Sequence, residues 1–334
     1  MSLAATSSTA VVPTAIATSA PALVAPAPIP DPATRLPGGA AALAPLPPGI
    51  PFRGHLLITD RGNGRIVEIT PDGEMTWSFP APGDAAASAL GPWDDAYYAP
   101  DGSMIAANSD PTSTVIGIDI ATRTVRWRVG TPGRTGKGTG AFNGPDDSVP
   151  ALDGTIYLAD IRNCRIVRLS AAGTFLSALG NGSCVHRPPT SFASPNGAFP
   201  TSDGDLIITE IGGGWIDRIG PDGTLRWAIR APVVFASDAV PYPDGSVLVA
   251  DYVTPGKVLR LAPDGTVLWR FDANGRLWNP SIAIPLAANR VAISDDFGNR
   301  VLVVDPTTNE IVREYTTVGG VHLKWVDSVH ARPD

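Results

Sequence analysis

DLIITEIGGGWIDRIGPDGTLRW (205–227) carries a short apolar run ending in an acid, a glycine turn, a second run, a Pro-Asp-Gly turn, and a run closing on Trp227. The same order of features stands in HLLITDRGNGRIVEITPDGEMTW (55–77) and in SVLVADYVTPGKVLRLAPDGTVLW (246–269). Runs of four to six aliphatic and β-branched residues bounded by Gly, Pro and Asp read as strands. Pro-Asp-Gly sets a tight turn between them, because Pro presets φ at the first corner and Gly tolerates positive φ further on.

Three more copies follow the same grammar. Their second strands are SMIAAN (103–108), TIYLAD (155–160) and RVAISD (290–295), and their third strands TVIGID (114–119), RIVRL (165–169) and RVLVV (300–304). The second strands of all six end at Asp60, Asn108, Asp160, Glu210, Asp251 and Asp295, at intervals of about 40 to 50 residues. Four-stranded units repeating at that period cannot bury their faces alone and stack radially. The expected fold is all-β, a six-bladed β-propeller with four-stranded blades over residues 51–334. The first unit begins at its second strand, while Asp327-Ser328-Val329 near the C-terminus repeats Asp147-Ser148-Val149. The C-terminal strand is therefore expected to supply the inner strand of blade one, removing an open sheet edge. Trp77, Trp127, Trp227 and Trp269 recur in the fourth strands, where packing between blades is the expected use.

Composition agrees and excludes several function classes. Gly (35) and Pro (34) are too numerous in 334 residues for a helical protein. A net charge of −7 offers no electrostatic footprint for nucleic acid or an anionic membrane, and no apolar stretch is long enough to span a bilayer. Residues 1–50 are rich in Ala and Pro and are expected to be a disordered leader or linker. Val11–Ala27 is weakly apolar but lacks a basic start, so a signal peptide is only weakly indicated. Cys164 and Cys184 are the two cysteines. They fall in loops on one face of the ring, which favours a disulfide over two separate thiols, and with it a secreted or cell-envelope location.

Polar residues at the starts of the inner strands, Asp327, Asp95, Asp147, Asn196, Asp238 and Ser281, are expected to converge at one mouth of the central channel. Oxygen donors without Cys suit calcium or magnesium, and repelling carboxylates need a proton or a cation between them. His186, beside Cys184, is expected near the same mouth as an acid or base with Asp147. Asp94 and Asp146 precede ring members and read as solvated acids, and the stretch Gly133–Gly138 as a mobile loop.

Two resemblances rest on these residues. Asp60/Asn63/Arg65 and Asp160/Asn163/Arg165 follow the D-x-x-N-x-R spacing of the NHL repeat. Gly117 to Trp127 has the spacing of the tryptophan-docking motif of quinoprotein propellers. A looser resemblance is to calcium-dependent gluconolactonase-type lactonases. It implies a metal held by Asn196 of Pro195-Asn196-Gly197, by Asp238 and Asp147, and by Asp327 in place of that family's blade-one Glu, with Asp95 near. The activity this resemblance implies is calcium-dependent hydrolysis of small esters or lactones, with a small-molecule ligand at the channel mouth. The alternative is a non-catalytic propeller binding a protein, a glycan or a cell-envelope ligand.

Overall fold

The computed structural model describes residue 46 and residues 49–332. The leader expected over 1–50 lies almost wholly outside the described residues. Six four-stranded antiparallel sheets follow one another along the chain. Blade two is Ala96–Tyr98, Met104–Ser109, Thr114–Asp119 and Thr124–Val129. Blade four is Pro195–Pro200, Leu206–Glu210, Trp215–Ile219 and Leu225–Arg230. Blades three, five and six start from Pro145–Pro150, Ala236–Pro241 and Pro280–Leu286. Blade one is closed as the repeat implies: Val326–Ala331 pairs antiparallel with Leu56–Asp60, Leu56 opposite Ala331 and Asp60 opposite Val326.

Apolar residues of successive blades make the packing between them. Trp77, Phe79 and Trp93 join Ile105, Ile116 and Ile118 in one such layer, all buried. The fourth-strand tryptophans lock neighbouring blades: Trp77 Nε1 donates to the Ile120 carbonyl at 2.9 Å and Trp127 Nε1 to that of Ala171 at 3.0 Å. Gly117 is needed beneath Trp127, because a Cβ there would lie 2.4 Å from the indole.

The D-x-x-N-x-R motif has a mechanical explanation. The acid ending strand two accepts backbone N–H groups from the loop that enters its own blade, as Asp160 does from Asn143 at 2.7 Å and Asp295 from Trp278 at 2.6 Å. The basic residue five or six positions later pairs with that acid, and its other nitrogens can grip the same loop. Arg165 bonds Asp160 at 2.8 Å, the Lys137 carbonyl at 2.7 Å and the Ala141 carbonyl at 2.9 Å. The Gly133–Gly138 loop is thus tied to blade three rather than free. Cys164 occupies the left-handed position after the turn (φ +51°), where blade one has Gly64 (φ +63°), and it is disulfide-bonded to Cys184.

In blade two the pairing corrects the repeat alignment by one residue. Ser109 pairs with Thr114 as Asp60 pairs with Arg65, so Ser109, and not Asn108, stands at the acid position.

Candidate metal centre at the channel mouth

Each inner strand starts with a β-bulge, two of its residues facing one residue of strand two. The pairing skips between Pro195 and Ala198, between Ala236 and Ala239, and between Pro280 and Ala283. In blade two both Asp94 and Asp95 bond Asn108 through the backbone. A bulge turns two consecutive side chains toward the channel region instead of one in and one out. The polar residues therefore form two tiers where the sequence suggested one ring.

The outer tier is Asp94, Asp146, Asn196, Ser237, Ser281 and Asp327. With Arg61, Asp110, Ile161, Phe235 and Tyr252 they line a mouth cavity of about 140 Å³. The inner tier is Asp95, Asp147 and Asp238, with Gly197 at the equivalent place in blade four. One oxygen from each of the three carboxylates lies within 4.8 Å of the others, and all three residues are buried. Of the sequence-derived candidates, Asp95, Asp147 and Asp238 are thus brought together. Asp327, Asn196 and Ser281 stand one tier outward.

Polar residues of strand two hold the bulges. Thr59 Oγ1 donates to the Asp94 carbonyl at 2.7 Å, and Ser294 Oγ to that of Asp327 at 2.8 Å, each reaching the next blade around the ring. Asn108 Nδ2 donates to Asp95 at 3.0 Å while its Oδ1 accepts from the Ser148 N–H at 3.0 Å. Below the inner tier the channel is floored. Tyr97 is fully buried, donates its hydroxyl to Asp147, and packs edge-on against Phe199 at 5.9 Å and His330 at 5.2 Å.

The electrostatics are one-sided. Arg61 pairs with Asp94, and with Asp327 at 2.6 Å. Among the described residues no cationic side chain pairs with Asp95, Asp147 or Asp238. Burial, then the charge of its acidic neighbours Asp238 and Asp95, pushes the Asp147 carboxyl well above its ordinary range. Asp238, Asp94 and Asp146 are pushed up likewise, burial first. Asp327 rises to about 6, from burial and Asp95 against the pull of Arg61. Asp147 Oδ2 and Asp238 Oδ1 are buried without a hydrogen-bond partner. Two orphaned oxygens facing one small space, in an all-oxygen donor set, fit a hard divalent cation.

His186 is placed elsewhere. Its Nδ1 lies 2.9 Å from Glu210 Oε1, its ring stacks on Trp215, and it is not among the residues lining the mouth. Sequence reading passed over Arg61 and Tyr252, and took Asp94 and Asp146 for solvated acids. The signal for the first two was positional: the residue after the strand-two acid faces the mouth, as Arg61, Asp110, Ile161 and Tyr252 all do. One flank of the mouth is aromatic. Phe235, Tyr252, Phe297 and Trp325 form a chain with ring centres 5.4, 6.2 and 5.9 Å apart. Phe297 is 46% and Trp325 37% exposed.

Neither a protein-family model nor a curated protein matches the chain. Solved structures do. A Bacteroides caccae protein of unknown function superposes with TM-score 0.61 at 16% identity, over 83% of this chain and 97% of that one. A chain of a nidogen/laminin complex gives 0.62 at 14% identity, over 83% and 98%. Virginiamycin B lyase from Staphylococcus aureus gives 0.52 at 18%, over 75% and 77%. At these identities the likeness is one of fold, and the chain is a six-bladed β-propeller.

Proposed function

We propose that the protein is a divalent-metal-dependent hydrolase of small esters or lactones, with Asp95, Asp147 and Asp238 holding the cation, calcium first. The observation that carries this reading is the set of three buried carboxylates with two orphaned oxygens and, among the described residues, no cationic partner, each next in sequence to a residue that lines an open polar cavity. A divalent cation supplies Lewis acidity toward a carbonyl oxygen. The chain's own residues would do the rest. Asn196 and Ser281 offer hydrogen bonds to a bound ester, and Arg61 offers positive charge to an oxygen that gains electrons. Asp146 lines the cavity one residue from Asp147 and is the carboxylate placed to take a proton from water there. Asp327 and Asp94 hold Arg61 in place. Tyr97 and Phe199, both buried and packed together, back the carboxylates on the side away from the mouth. The disulfide favours an oxidising, secreted or cell-envelope location.

The aromatic flank carries a second reading, in which the same mouth binds a protein or glycan without chemistry. Elemental analysis of purified protein, with turnover of a lactone and aryl-ester panel in calcium and in chelator, separates the two. Bound metal with activity lost on chelation and in Asp238→Asn supports the hydrolase. Metal-free protein with no turnover leaves the binding reading.

A further inference from the structure

Blade four breaks a rule that four of the other blades keep. In blades one, three, five and six the acid ending strand two is paired with a base that opens strand three: Asp60 with Arg65, Asp160 with Arg165, Asp251 with Lys257, Asp295 with Arg300. In blade four the acid is Glu210, and the residue opposite it is Trp215, which carries no charge. Two residues further on, strand three places an apolar or small side chain against strand two in every other blade. Val67 faces Ile58, Ile116 faces Ala107, Val167 faces Leu158, Leu259 faces Val249 and Leu302 faces Ile293. Blade four has Asp217 there, facing Ile208. It has therefore lost a cation and gained a buried carboxylate at the same spot.

Asp217 is 0% exposed, and neither of its oxygens has a hydrogen-bond partner. An orphaned buried carboxylate is costly and calls for an explanation. Its oxygens lie toward a third donor. His186 Nδ1 is 3.9 Å from Asp217 Oδ2 and 2.9 Å from Glu210 Oε1, and the donor atoms of all three lie within 4.8 Å of one another. The imidazole is not loose. It stacks on Trp215 with ring centres 4.0 Å apart and planes 6° from parallel. Its loop is stapled by the Cys164–Cys184 bridge two residues before it. Glu210 is held as well, its second oxygen accepting the Ala193 N–H.

We propose that His186, Glu210 and Asp217 form a metal site of the zinc class on blade four, separate from the channel. One imidazole and two carboxylates are a donor set of intermediate softness, suited to zinc, cobalt or nickel rather than calcium. Bonds of about 2.0–2.2 Å from one ion place donors about 3.3–3.6 Å apart, and the observed separations of 2.9 and 3.9 Å bracket that range. The metal replaces the charge that an Arg or Lys supplies in the sister blades, and Trp215 is the residue that makes room by stacking on the ligand. The blade-four site does not depend on the hydrolase reading.

The test is cobalt(II) titration of the metal-stripped full chain, followed by visible absorption, with zinc competition and with melting curves in zinc. The expected result is one equivalent of cobalt giving d–d absorption that zinc displaces, and a melting temperature raised by zinc. Asp217→Leu and His186→Ala should each weaken binding by at least about 100-fold, since loss of a residue that merely supports a metal ligand already costs up to that much. The channel variant Asp238→Asn should retain it. Asp217→Leu installs the residue that blades five and six use at this register, so the fold should survive. Absence of cobalt absorption in the wild type overturns the proposal. So does absorption that persists in both variants, or an Asp217→Leu protein that is more stable than wild type at saturating zinc. Failure of the channel site would show separately, as an Asp238→Asn protein unchanged in calcium.

Discussion

Gly197→Ala tests the channel site without touching any proposed ligand. Gly197 stands at the inner tier of blade four, between the carboxylates of its neighbours. A Cβ there would lie 2.9 Å from Asp238 Oδ1, 3.0 Å from Thr209 Oγ1 and 3.1 Å from Asp147 Oδ2. The backbone does not adopt positive φ at this residue, so alanine is conformationally allowed and the effect is steric. Crowding of this kind costs about 1–3 kcal/mol, offset by about 0.4–1 kcal/mol from the stiffer unfolded chain. The net is about 1 kcal/mol, or about 1.5–2 °C in Tm for a domain of this size. That loss should be the same in calcium and in chelator. The second effect appears only with the cation. Pushing two ligand oxygens back by a few tenths of an ångström takes them out of the narrow range of calcium–oxygen bonds, and we expect affinity to fall at least about tenfold. Calcium at 100 times the wild-type Kd stabilises the native state by about 2.7 kcal/mol, and after a tenfold loss by about 1.4 kcal/mol. The calcium-dependent rise in Tm should therefore be halved or worse. Differential scanning fluorimetry of both proteins, each with calcium and with chelator, measures both effects at once. A Gly197→Ala protein with the full wild-type calcium shift would refute the placement of the cation between Asp147 and Asp238.

Three further outcomes are expected. Ending the chain before Trp325 removes the inner strand of blade one, with Val326 and Val329 from the core. The loss should exceed a typical stability of about 5–15 kcal/mol, and circular dichroism should show no cooperative melt. Burial holds the His330 pKa down to about 4. The unfolded chain thus binds the proton first as pH falls from about 6.5, and stability should drop between about pH 6.5 and 4 by up to roughly 3 kcal/mol. His330→Asn, which can still accept the Tyr98 N–H, should flatten that slope in melts taken across the window. Replacing Cys164 and Cys184 by serine opens a loop of 20 residues. It should cost about 3 kcal/mol, seen as a lower urea midpoint with an m-value equal to or slightly above that of the bridged protein.

The carboxylate mouth was legible only in part, and Asp95 and Asp147 show why. Aligning the repeats by residue type matched these acids with Asp327 and Asn196, because Asp-Asp pairs at 94–95 and 146–147 permit either register. The bulges settle it by turning both members of each pair toward the channel, one tier apart. A bulge shifts the apolar alternation by one residue, but these fall at polar strand starts where there is no apolar alternation to shift, so period does not reveal them. His186 shows the other limit. Its place in the chain is beside Cys184, but where its ring points depends on Trp215 and Glu210, on strands that come later.

The blade can be read from the chain alone: runs of strand length, the turns that end them, the acid and base that clamp the incoming loop, and the C-terminal strand that closes the ring. The strand runs and turns are local and recur in all six units and the clamp in four, so each copy corroborates the others. Which side chains of different blades share a space is settled only when the ring closes. Asp95, Asp147 and Asp238 meet because the ring brings their strands to one axis, and Asp217 meets Glu210 and His186 where blade four carries Trp215 in place of a base. Neither is a property of any one segment. Both depend on a few ångströms between atoms far apart in sequence, the scale on which charge and coordination act.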